Sequence, residues 1–147
     1  MSSSAVFAQL EGERPALLTP GDYDVSFVGF STCVLFSRAY KLRVQFKVLT
    51  LGEHFEQRIS RFYNVARLIG RPGTGGRFKV GFHSDFLREF AKLFGAPARL
   101  DRIPMTNFER KIIVARVRTV EMGSAQRPIP ECLRYSVISE LVRIKEG

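Results

Sequence analysis

The sequence predicts a mainly β fold, a small β-barrel of five strands with one short α-helix between the third and the fourth. Three observations lead there. Polar and apolar residues alternate over Asp22–Phe27 and again over Lys41–Val48, the period-two pattern of strands with one buried face. A single stripe at helical spacing, Phe86, Phe90, Leu93 and Phe94, calls for one amphipathic helix rather than a bundle. The periodic segments are short and separated by turn residues, at Pro20-Gly21, Leu51-Gly52 and Gly95 to Pro97. With 147 residues, 45% of them hydrophobic and 25% charged, the chain suits one soluble domain. A domain of that size buries roughly 68% of its unfolded surface.

Residues 1–16 are small and polar and are expected to form a flexible N-terminal segment, with residues 17–147 as the single domain. In the first strand Tyr23, Val25 and Phe27 face the core, and Asp22, Asp24 and Ser26 face away. GFSTCVLFSRAY, Gly29 to Tyr40, fits either a long hairpin loop or an extension of both neighbouring strands. The second strand is the cleanest: Leu42, Val44, Phe46 and Val48 point one way, and Lys41, Arg43, Gln45 and Lys47 point to solvent. The third, Gln57 to Val65, leaves its register open. Ile59, Arg61 and Tyr63 share one face, Arg58, Ser60 and Phe62 the other, and an inward Phe62 would put Arg61 and Tyr63 outside together.

ARLIGRPGTGGRFKVGF, Ala66 to Phe82, predicts a basic glycine-rich loop at about residues 66–83, with four cations and no acid. Loops of that length inside small domains are usually functional or mobile. Ser84 is then an N-cap with Asp85 in the first turn, and Gly95 and Pro97 stop the helix. Lys111–Val120 predicts a strand with Ile113, Ala115 and Val117 inward and Arg116 and Arg118 outward. The turn-rich MGSAQRPIPE leads to a last strand, Leu133–Ile144, in which Tyr135, Val137 and Leu141 are interrupted by Ser136 and Glu140.

Charge is distributed unevenly over this scaffold. The chain carries 23 Lys and Arg against 14 Asp and Glu. Between Val25 and Ser84 stand ten cations, Arg38 and Arg61 among them, and two acids, Glu53 and Glu56. That is a net +8, which leaves 13 cations and 12 acids elsewhere. A field concentrated on one segment raises the local concentration of an anionic partner. Phe36, Tyr40, Phe46, Phe62, Tyr63 and Phe78 interleave with these cations. Single-stranded nucleic acid needs both, cations for phosphates and flat rings for bases. The candidate nucleic-acid-binding residues are Tyr40, Lys41, Arg43, Lys47, Arg58 and Arg61 on the strands, with Tyr63, and Arg67, Arg71, Arg77, Phe78 and Lys79 on the loop after them.

Other chemistries find little support. GRPGTGG, Gly70 to Gly76, lacks the Gly-Lys-Ser/Thr step into a helix that a phosphate loop requires. His54 and His83 stand apart, with no ligand at metal spacing. Asp22 and Asp24 share a strand face and read as a solvated edge rather than a metal site. No Ser or Cys has a visible base partner, so no enzyme and no cofactor is expected. Cys33 and Cys132 are expected to be reduced thiols, with a Cys33–Cys132 bridge as the lesser alternative. No run approaches the roughly eighteen apolar residues of a membrane span. The start, MSSSAVFAQLEGERP, has no export-signal pattern, so the expected setting is the cytoplasm, with no membrane partner.

Five strands with a helix between the third and fourth is the element order of the OB-fold, whose strands 2 and 3 and flanking loops grip oligonucleotides. An opening PGDYDV strand, a KLRVQFKVL strand, a basic RISRFYNV segment, a FLREFAKLFG helix and a closing hairpin span Leu17 to Lys145. In this order they resemble the OB-fold single-strand-binding proteins of phages and bacterial mobile elements. The resemblance implies a non-catalytic binder of single-stranded DNA, or of RNA, in the replication, recombination or transfer of such an element. Replication or transfer proteins and further copies of the chain are its other expected partners. The competing expectation is a protein-interaction or assembly module on the same barrel, with its basic face against an acidic partner.

Overall fold

In a computed structural model, which describes residues 17–35, 39–120 and 135–146, the first alternating segment runs on as one long strand, β1 (Gly21–Leu35). The Gly29 to Tyr40 link is therefore an extension of both strands, since β2 (Ala39–Val48) pairs with β1 in antiparallel register from Val25↔Val48 to Leu35↔Ala39. One irregularity falls between Phe27 and Gly29, where Val28 has no partner on β2. β3 (Arg58–Asn64) pairs with the other edge of β2, from Lys41↔Asn64 to Lys47↔Arg58. Residues 1–16 and 121–134 lie outside the described residues, and with them the expected N-terminal segment, the MGSAQRPIPE turn, Cys132 and Leu133. Phe36 and Arg38 do so too.

The expected loop after β3 is built differently. β4 (Arg67–Ile69) and β6 (Arg77–Lys79) form a two-stranded ladder, and between them β5 (Gly73–Thr74) pairs with Thr32 and Ser31 of β1. Glycines that look like disorder in the sequence serve tight turns here: Gly70 (φ 73°) and Gly75 (φ 67°) adopt left-handed backbone. The α1 helix (Asp85–Phe94) follows as expected. Ser84 Oγ accepts the Leu87 N–H at 3.2 Å, and Gly95 (φ 87°) donates its N–H to the Ala91 carbonyl at the other end. A 3₁₀ turn (Met105–Phe108) leads to β7 (Ile112–Val120) and β8 (Tyr135–Glu146).

The main sheet has the order β3-β2-β1-β7-β8, antiparallel throughout, with β5 on the free half of the β1 edge. It is thus a mainly β molecule, with one α-helix among the described residues, as expected. β3 and β8 approach each other beside α1, yet no ladder joins them among the described residues, so backbone pairing does not close a barrel. Leu42, Val44, Phe46 and Val48 are all fully buried, together with Val25, Ile113, Ala115 and Leu141. Phe86 and Phe90 of α1 plug this core, stacking 5.7 Å apart, and Phe108 of the 3₁₀ turn meets Phe27, Phe46, Phe90 and Phe94. Each such ring stabilises the fold by about 1.5–3 kcal/mol on burial.

Candidate nucleic-acid interface

The register of β3 decides which nominated side chains are available. Ile59 and Tyr63 are both 3% exposed and lie in the core, so Ile59, Arg61 and Tyr63 form the inner face. Phe62 lies on the outer one, against Val120, Tyr135 and Val137. This corrects the expectation that Arg61 and Tyr63 could line a binding groove. Arg61 instead turns to the helix, where Nε and Nη2 donate to the two carboxylate oxygens of the fully buried Glu89. Tyr63 donates its hydroxyl to Glu89 Oε1 at 3.0 Å, and the Leu141 N–H donates to the same oxygen at 2.8 Å.

One carboxylate therefore ties β3, α1 and β8 together along the seam that has no ladder. Burial works to lower the Arg61 guanidinium, but the hydrogen bond to Glu89, then nearby charges including Glu89's, outweighs it and holds the group above its ordinary value. Burial, and next the Glu89 charge, push the Tyr63 phenol well above its ordinary range. The guanidinium carbon also sits 4.3 Å from the Tyr63 ring centre. These are core interactions. Two further nominees are corrected alongside them. Phe78 is 4% exposed and packs edge-on against Phe30 and Phe86, because β6 turns it inward opposite Leu68. Arg43 is on the outer face of β2 as expected, yet only 4% exposed.

Arg43 stands between Ser31 of β1 and Phe62 of β3 in the pairing, and its Nε donates to Ser60 Oγ at 2.9 Å. Burial, and next the Arg58 charge, pull its guanidinium below the ordinary value. Beside it opens a groove of about 270 Å³, lined by Gly29, Ser31, Arg43, Gln45 and Thr74. The irregularity at Val28 and the missing side chain at Gly29 make room for it on one side, and the β5 arm forms the other. Lys41, on the same face, donates to Asn64 Oδ1, and burial lowers its ammonium. Lys47 is half-buried and Arg58 exposed at the end of the row.

Pairing also groups the cations of the β4–β6 hairpin. Arg67 lies opposite Lys79, and Arg77, two residues from Lys79, shares their face. Arg71 is exposed at the turn between them. The two halves of the molecule then differ in a simple way. In the β1, β7 and β8 half, Arg118 and Arg143 have no ion-pair partner among the described residues, but the other cations meet carboxylates: Arg116 stands between Asp22 and Glu140 in the pairing and bonds both, at 3.2 and 3.6 Å. Lys145 holds Asp24 at 2.7 Å, and Lys92 holds Glu140 at 2.7 Å. In the β2–β3 and β4–β6 ladders cation stands opposite cation, Lys47↔Arg58 and Arg67↔Lys79. Like charges directly opposed on a sheet destabilise it. No carboxylate lies within ion-pair distance of these four side chains, nor of Arg71 and Arg77, among the described residues.

The expected rings are mostly buried, and two exposed ones were missed, Phe55 in the turn before β3 and Phe82. Tyr40, at 38% exposed, remains beside the hairpin, its carbonyl accepting the Val65 N–H. Phe82, at 80%, stands three residues beyond Lys79. Its spacing of four from Phe86 hides it in the helical stripe, and only the Ser84 cap between them separates it from the helix. His83 is exposed, while His54 packs edge-on against Tyr23. No cluster of three or more metal-ligating side chains exists among the described residues. Burial raises the Cys33 thiol, and no described helix is long and apolar enough to cross a membrane. No family model matches the chain, and neither a curated protein nor a solved structure matches it.

Proposed function

We propose that the protein binds single-stranded nucleic acid, DNA in the first place, without catalysis, on an OB-like barrel whose third and fifth main strands are joined through side chains. The observation that carries this reading is the opposition of cation to cation at Lys47↔Arg58 and Arg67↔Lys79, in a chain that elsewhere sets Arg116 between two carboxylates. Such an arrangement costs folding stability and is relieved by a polyanion. Lys47, Arg58, Arg67, Arg71, Arg77 and Lys79 hold the phosphates, and the groove beside Arg43 follows the backbone between them. Tyr40 and Phe82 offer rings to bases, each stacked base contributing about 1–3 kcal/mol. A place in the replication, recombination or transfer of a mobile element rests on the sequence resemblance.

The test is fluorescence anisotropy with an oligothymidylate of about 16 nucleotides, the upper site size for one such domain, comparing the protein with its Lys47→Gln/Arg58→Gln variant. Losing two phosphate contacts should make the log-log salt slope shallower by about 1.4. A variant that binds with the slope of the parent removes these side chains from the interface.

A further inference from the structure

The proposed track has a second side. A small cavity of about 100 Å³ opens between Gly75 to Phe78 on one wall and Asp101 to Met105 on the other, with Arg77 and Arg102 both in its lining. Arg102 belongs to the connector between α1 and β7, outside the basic stretch, and nothing in the sequence singles it out. It is exposed, and neither guanidinium has an ion-pair partner among the described residues. The one carboxylate in the lining, Asp101, is already engaged: Arg99 grips both its oxygens, at 2.9 and 2.8 Å. That bond, which burial opposes and the Arg99 charge reinforces, lowers the Asp101 carboxyl, and the nearby Lys79 adds to it. The lining therefore keeps a surplus of positive charge after its acid is neutralised, in a space that suits one small anionic group.

Its position connects it to the groove beside Arg43. Phe30 lines both spaces, and only the glycine arm, Thr74 to Gly76, separates them. The arm is fixed from below, where Gly75 N–H donates to the Phe30 carbonyl at 2.9 Å and Gly73 N–H to Thr32 Oγ1 at 3.2 Å. Its crest carries no side chain at Gly75, so a backbone can pass closely over it. Resting on the single-strand reading above, we infer that Arg77 and Arg102 together hold one phosphodiester of the bound strand. The strand then crosses β1 over the glycine arm and ends on the connector between α1 and β7.

Arg102→Gln and Arg102→Lys test this in the full-length protein, with the same oligothymidylate and salt series, and with Arg143→Gln, an exposed cation on β8, as the control. Arg102→Gln should weaken binding several-fold at low salt, and Arg77→Gln/Arg102→Gln should make the slope shallower by about 0.7, the one phosphate the pair shares. Arg102→Lys should keep the parental slope, and Arg143→Gln should change neither. Parental affinity in Arg102→Gln and parental slope in Arg77→Gln/Arg102→Gln, while Lys47→Gln/Arg58→Gln loses its two contacts, overturns the Arg102 site and leaves the strand-face reading standing. Equal losses in Arg102→Gln and Arg143→Gln also overturn it, because they mark a general effect of net charge. A parent protein with no salt-dependent binding overturns both readings.

Discussion

Glu89→Gln should be among the most damaging conservative substitutions in the protein. Glu89 is fully buried and accepts from four donors on two strands: Arg61 Nε and Nη2, the Tyr63 hydroxyl and the Leu141 N–H. Glutamine keeps the shape but removes the charge and offers one acceptor oxygen where two stood. At least one donor then faces an amide N–H, and the Arg61 guanidinium, 12% exposed, loses its counter-charge. Breaking one partner of a buried ion pair costs about 3–5 kcal/mol, and the residual exposure of Arg61 argues for about 3. Against a total stability of roughly 5–15 kcal/mol this is large. Urea unfolding should show it as a midpoint lowered by about 1–2 M with an unchanged slope, for a slope near 2 kcal/mol/M. Replacing both partners, Arg61→Leu with Glu89→Leu, should cost less than the sum of the two single changes, because neither charge is left buried alone. A Glu89→Gln cost below about 1 kcal/mol, or additivity in the double variant within about 0.5 kcal/mol, would refute the idea that this carboxylate ties the open seam.

Alkaline stability should depend on Tyr63. Its folded phenol lies well above the ordinary value, by burial first and the Glu89 charge second, so the unfolded chain loses that proton first as pH rises. Stability from this group is complete below about pH 10 and declines above it. Tyr63→Phe should flatten the decline in alkaline denaturation curves, and an unchanged curve would show that Tyr63 is not its source. Gly76→Ala should cost about 1–3 kcal/mol, the range for overpacking, since an added Cβ would lie 2.1 Å from Thr32 Oγ1 and 3.0 Å from the Gly73 carbonyl. Adding Thr32→Ala should restore part of the loss in thermal unfolding; no recovery would mean that the hydroxyl is not the obstacle. Phe82→Ala should leave the melting temperature unchanged, since the ring is 80% exposed, while weakening oligothymidylate binding by about 1–3 kcal/mol. Equal binding would remove Phe82 from the interface.

The fold was legible where a local pattern carries it. Alternation in Lys41–Val48 marks β2 without ambiguity because its inner face is wholly apolar, and Ser84, Phe86, Phe90 and Gly95 bound the helix by capping and spacing. What the sequence hides depends on partners far along the chain. The inner face of β3 contains an arginine, and its place there makes sense only once Glu89, 28 positions later, supplies the counter-charge. Tyr63 and Phe78 have neighbouring cations and so resemble base platforms, although strand pairing turns both inward. The glycines of residues 70–76 resemble a slack loop until Thr32 and Phe30 of β1 are seen to bond their amides. The charge block itself was legible from composition alone. Its division into opposed cations on two ladders, a buried Arg43 and an inward-facing Arg61 follows from register, which no local window contains.

The most direct test of the central claim is a salt titration of oligothymidylate binding, run beside a duplex of the same length. Six cations with no carboxylate at ion-pair distance among the described residues, Lys47, Arg58, Arg67, Arg71, Arg77 and Lys79, each contributing roughly 0.7, predict a log-log slope of about −4 for the single strand and weaker binding to the duplex at every salt concentration. A slope near zero, or tighter binding to the duplex, would contradict the account.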